Sequence, residues 1–151
     1  MPDLLDAVLH AVVYALVGGA LIVLALGVLD LLTPGHLGSH LRGGADGGTT
    51  GDRASGSAGL VAAAWLVGTG AIVFTAIWTN GETAFGEALL WTVAFGVLGI
   101  VVNTVMLLAV DVVTPGRLGD IVTTPGAAVP LAYVTAAAAI AVSAVVCASI
   151  A

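Results

Sequence analysis

Two aspartates recur in one pattern. Asp30, Thr33, Pro34 and Gly35 have the same spacing as Asp111, Thr114, Pro115 and Gly116, 81 residues further along the chain. A proline lacks an amide hydrogen and clashes with the carbonyl four residues back. That carbonyl belongs to Asp30 in the first copy and to Asp111 in the second. If the preceding helix runs up to the proline, each motif gathers a carboxylate, a freed carbonyl and a threonine hydroxyl. Such a cluster of oxygens suits a cation or a proton. A second reading is open. Thr-Pro also reads as a helix N-cap followed by proline at the first helical position. Residues 34–41 and 115–122 are then short interfacial helices, and each carboxylate lies between one helix end and the next helix start. An acid in the last turn of a helix opposes the helix dipole by about 0.3–1 kcal/mol when exposed. A local rule broken at both copies implies compensation or use.

Few other residues offer chemistry. Asn103 is the carboxamide well inside a long apolar stretch, where such groups bond between membrane helices or line a path. His36 and His40 stand four apart, but a metal needs a third and a fourth ligand. Asp46 and Asp52, the nearest carboxylates, lie in a glycine-rich loop, so no metal site is expected. Cys147 is expected to be a small buried residue. The one cysteine excludes an internal disulfide. No nucleophile, base and orienting group stand together. The glycines at 43–51 lack the strand, lysine and helix of a phosphate loop. Neither catalysis nor a cofactor is expected.

The elements that must position these residues follow from where the charges fall. Of 151 residues, 60% are apolar and 8% are charged, against roughly 25% charged in a soluble domain. The net charge of −6 excludes a basic nucleic-acid binder. No Asp, Glu, Lys or Arg occurs in 7–29, 54–81, 88–110 or 121–151. Each window is long enough for the roughly 20 apolar residues that a spanning helix needs. The fold class is therefore an all-α membrane protein, with transmembrane helices near 7–32, 58–79, 87–113 and 128–150. The apolar residues do not alternate as barrel strands would. Asp3 and Asp6 stand where a secretory signal would be basic, so the first span is expected to remain in the mature protein.

Segment 43–59, GGADGGTTGDRASGSAG, reads as a flexible loop. Arg42, Arg53 and Arg117 fall in the first and third loops. The excess of basic residues predicts that loops 33–57 and 114–127 are cytoplasmic and that both termini lie outside. Trp78 and Trp91 flank the outer turn at 80–86, as interfacial aromatics should. Trp65 and Tyr133 are expected toward the other ends of their helices.

The motif repeat extends upstream. LDLLTPGHLG at 29–38 aligns with VDVVTPGRLG at 110–119, and YALVG at 14–18 aligns with FGVLG at 95–99. The chain thus reads as one membrane domain of two two-helix repeats, 7–79 and 87–150. An even number of spans per unit makes the repeats parallel, related by an axis along the membrane normal. This pattern resembles the YjfL-like family of bacterial inner-membrane proteins, catalogued as domain of unknown function number 350. The resemblance rests on the two TPGxLG motifs with their preceding aspartates and on AIVFTAIWT at 71–79. It covers the chain from about residue 11 onward. It implies a multi-pass bacterial plasma-membrane protein and no established activity.

Small residues recur four apart at Ala15/Gly19, Ala64/Gly68, Ala132/Ala136, Ala137/Ala141 and Ala144/Ala148. Such pairs let helix backbones approach closely. They predict that the last helix packs centrally or against another copy. The leading expectation is a non-enzymatic structural or complex-forming subunit in the lipid bilayer, as a homo-oligomer or with a membrane-protein partner. The alternative is an oligomeric channel or a proton- or cation-coupled transporter using Asp30 and Asp111.

Overall fold

A computed structural model of the chain describes residues 2–33, 37–42, 54–81, 84–113, 119 and 124–151. Five helices run through them: α1 (Pro2–Leu32), α2 (Leu37–Arg42), α3 (Gly56–Thr79), α4 (Phe85–Val113) and α5 (Pro130–Ile150). All but α2 are long and apolar enough to cross a membrane. The four-helix membrane fold expected from the sequence is thereby observed. Uninterrupted helix is what a lipid environment demands, because each backbone N–H and C=O must be satisfied within its own segment.

The boundaries differ slightly from expectation. Helix α1 starts at Pro2, where proline's missing amide hydrogen is harmless. Helix α3 starts at Gly56 because the Ser55 side chain accepts a hydrogen bond from Ala58 N at 3.2 Å. Helix α5 starts at Pro130, later than the expected 128, since Val129 is extended and proline occupies the first turn. Helix α2 covers Leu37–Arg42, overlapping the expected 34–41 region and ending one residue later. The counterpart expected at 115–122 falls, apart from Gly119, outside the described residues.

At 31 and 29 residues, α1 and α4 are about 46 and 43 Å long. The hydrocarbon core is about 30 Å thick. Both helices therefore exceed the hydrocarbon core in length, and Asp30 and Asp111 lie in their last turns.

Helix α3 lies at the centre and packs on every other helix, most extensively on α5. Half of its apolar span (50%) is buried, against 22% for α1. The core gathers Ala25 and Leu29 of α1, Leu37 of α2, Ala58, Ala62 and Trp65 of α3, and Ile100 and Leu107 of α4.

Helices α3 and α5 begin side by side. Ser55 and Gly126 form an isolated parallel bridge. Gly56 N donates to Gly126 O at 2.7 Å, and Gly126 N donates to Ala54 O at 3.2 Å. Val129 N then donates to Ser57 Oγ at 3.2 Å. Two glycines make this junction possible. Gly126 holds φ at +119°, and a Cβ on Gly56 would stand 2.8 Å from Ala128 N.

Candidate functional site

The first copy of the repeated motif is built around Asp30. Its Oδ1 accepts from Leu37 N, the first amide of α2, at 2.6 Å. The carboxylate closing α1 thus satisfies a donor that α2 leaves open at its start. The favourable charge at that N-terminus offsets the unfavourable one at the end of α1. Thr33 is buried, and its hydroxyl donates to Leu29 O at 2.8 Å. Beyond α2, Ser55 N donates to His40 O at 2.8 Å, tying α2 to the start of α3.

In the second copy, Asp111 is half-buried in the last turn of α4. Pro34, Gly35, His36, Thr114, Pro115 and Gly116 lie outside the described residues.

Asn103 is fully buried. Its Nδ2 donates to Ser143 Oγ of α5 at 2.9 Å, and Ser143 Oγ donates to Ala139 O at 2.9 Å. Asn103 Oδ1 is buried with no partner. A buried unsatisfied acceptor costs about 1–3 kcal/mol. Ser143 also abuts Gly68 of α3, where a Cβ would overlap its hydroxyl. One serine therefore joins three helices. It was absent from the sequence reading, although it is the one hydroxyl between Thr135 and Ser149 in α5.

A second interhelical bond joins α1 to α3. The Trp65 indole N–H donates to Ala25 O at 3.0 Å, and Trp65 is fully buried. Trp65 is thus a core residue and does not serve as an interfacial aromatic. Trp78 and Trp91, beside the 80–86 turn, are 77% and 41% exposed and stack on Phe74 and Phe95. His10 sets its ring edge-on to Phe85 at 4.0 Å and lies 3.5 Å from the Asp6 carboxylate.

The small-residue pairs separate into two groups. Ala64/Gly68 and Ala132/Ala136 are buried within the bundle, whereas Ala15/Gly19, Ala137/Ala141 and Ala144/Ala148 face outward. Along α5 the outward alanines 137, 141, 144 and 148 form one stripe at helical spacing. Val134 and Val145 border it on one side, and Tyr133 and Ile140 on the other, all four exposed. The exposed surfaces of α1 and α4 instead carry large side chains along their length, including Leu16 and Val23 on α1 and Leu98 and Val105 on α4.

Residues 3–150 match the family described as Domain of Unknown Function (DUF350). The chain belongs to that family. The match covers nearly the whole chain, including both copies of the motif. The family's description attaches no activity to these residues. No curated protein and no solved structure matches the chain.

Proposed function

We propose that this DUF350 protein is a non-enzymatic membrane subunit that works by assembly, pairing with a second copy of itself through the outer face of α5. One observation carries the reading. The Ala137, Ala141, Ala144 and Ala148 stripe is exposed and runs between ridges of larger side chains. Lipid tails are as apolar as leucine, so helices associate in membranes by close packing, and small residues permit it. The same chain already uses this mode inside, where Gly68 admits Ser143. A self-complementary face gives a closed two-fold pair.

The reading takes the chain as two parallel two-helix repeats in a bacterial plasma membrane, with both termini outside. The side-by-side starts of α3 and α5, the second helix of each unit, support the parallel relation. The transport alternative has less support. Asp30 Oδ1 is engaged by the Leu37 amide in a bond that serves helix termination.

Cysteine scanning tests the pairing, since the chain carries a single cysteine. In a Cys147→Ser background, Ala141→Cys or Ala144→Cys should form a disulfide-linked dimer under mild oxidation in bilayers. Cross-linking needs Cα atoms within about 7 Å, so Val12→Cys on α1 and Val101→Cys on α4 should remain uncross-linked. Equal cross-linking at all four positions, or none on α5, would overturn the reading.

A further inference from the structure

Asn103 Oδ1 is the one buried side-chain polar atom among the described residues that lacks a partner. Its neighbours in the buried polar set are all satisfied. Thr69, Thr92, Thr135 and Ser143 each donate their hydroxyl proton to the carbonyl four residues back. The orientation of the Asn103 amide follows from this pattern. Ser143 Oγ donates to Ala139 O and so presents lone pairs, which the Asn103 NH₂ fills. Reversing the amide would draw the Ser143 proton away from Ala139 O. The acceptor Oδ1 is thus held in place and still needs a proton.

Bulk water does not reach this depth. Asn103 is ten residues from the end of α4, about 15 Å. Its partner Ser143 abuts Gly68, near the midpoint of α3. The missing proton must come from something bound. A hard metal cation needs six or more oxygens, and a single unfilled side-chain acceptor does not supply them. A small neutral donor fits.

We propose that Asn103 Oδ1 is the anchor of a binding site for one water molecule, enclosed among α3, α4 and α5. Buried waters make two to four hydrogen bonds. Here one water proton goes to Oδ1 and the other to the spare lone pair of a helix carbonyl, which adds the water to the chain Asn103–Ser143–Ala139 between α4 and α5. The proposal is independent of the pairing through α5, because Asn103 faces the bundle interior.

The chain has two asparagines, Asn80 and Asn103, and three tryptophans, so selective labelling is simple. The full chain, labelled with side-chain ¹⁵N in asparagine and tryptophan, is placed in lipid bilayers for water-edited solid-state NMR. The Asn103 amide should be polarised from water, more slowly than that of Asn80 at the end of α3 but measurably. The Trp65 indole, fully buried and already bonded, should lag well behind. An Asn103 signal as slow as that of Trp65 would overturn the proposal. A second measurement uses the Asn103→Leu/Ser143→Ala double variant. Removing a hydrated network should lower its Tm, whereas removing an unsatisfied acceptor would raise it, and a raised Tm counts against the water.

Discussion

Trp65 and Ala25 are joined across two helices by a hydrogen bond from indole to carbonyl, 3.0 Å long and fully buried. This contact docks α1, the least buried span, onto the central helix. Trp65→Phe removes the donor and part of the volume. Interhelical hydrogen bonds in membranes average about 0.6 kcal/mol and reach about 1.7. Trp65→Phe should therefore destabilise the bundle by roughly 1–3 kcal/mol once the cavity is included. Trp65→Ala should cost roughly 3–5 kcal/mol. Unfolding measured in mixed micelles by steric trapping checks both values.

Gly68 and Gly70 make a matched pair of opposite outcomes. A Cβ on Gly68 would overlap the Ser143 side chain, whereas one on Gly70 meets nothing within 4 Å. Gly68→Ala should force α3 and α5 apart and destabilise by about 1–3 kcal/mol. Gly70→Ala should be neutral or stabilising by up to about 1 kcal/mol, through helix propensity. Thermal unfolding of both variants in detergent reads the difference. Equal Tm changes would refute the close α3–α5 contact.

Asp30 separates the two readings of its motif. If its carboxylate serves to satisfy Leu37 N, Asp30→Asn keeps an acceptor and changes little, while Asp30→Ala costs about 1 kcal/mol. Hydrogen exchange at the Leu37 amide should quicken in the alanine variant and hold in the asparagine variant. Proton and cation flux in proteoliposomes should match that of empty liposomes. Flux abolished by Asp30→Asn with Asp111→Asn would instead assign transport to the pair.

The spans were legible because each window is apolar on all sides, a signal that length and charge positions carry without tertiary information. Asp30 and Asn103 were legible as exceptions, an acid at a helix end and an amide within a span. Their partners were not. Which atom Asn103 meets depends on how α4 and α5 are rotated and offset, and no local pattern encodes Ser143 as the answer. Trp65 shows the same limit. A tryptophan some ten residues into a span can face the core or the headgroups, and only the packing of α1 on α3 decides. The junction at Ser55 and Gly126 joins two glycine-containing connections 71 residues apart. Local propensity carries no trace of that pairing.

Association through α5 is the central claim, and sedimentation equilibrium in density-matched detergent tests it most directly. The natural chain should sediment as a dimer whose dissociation follows the protein-to-detergent ratio. Ala141→Leu with Ala144→Leu places bulk on a face exposed in the protomer, so it should leave the bundle folded and shift the protein to monomer. A natural chain that is monomeric at every ratio, or a double variant that dimerises as strongly, would contradict the account.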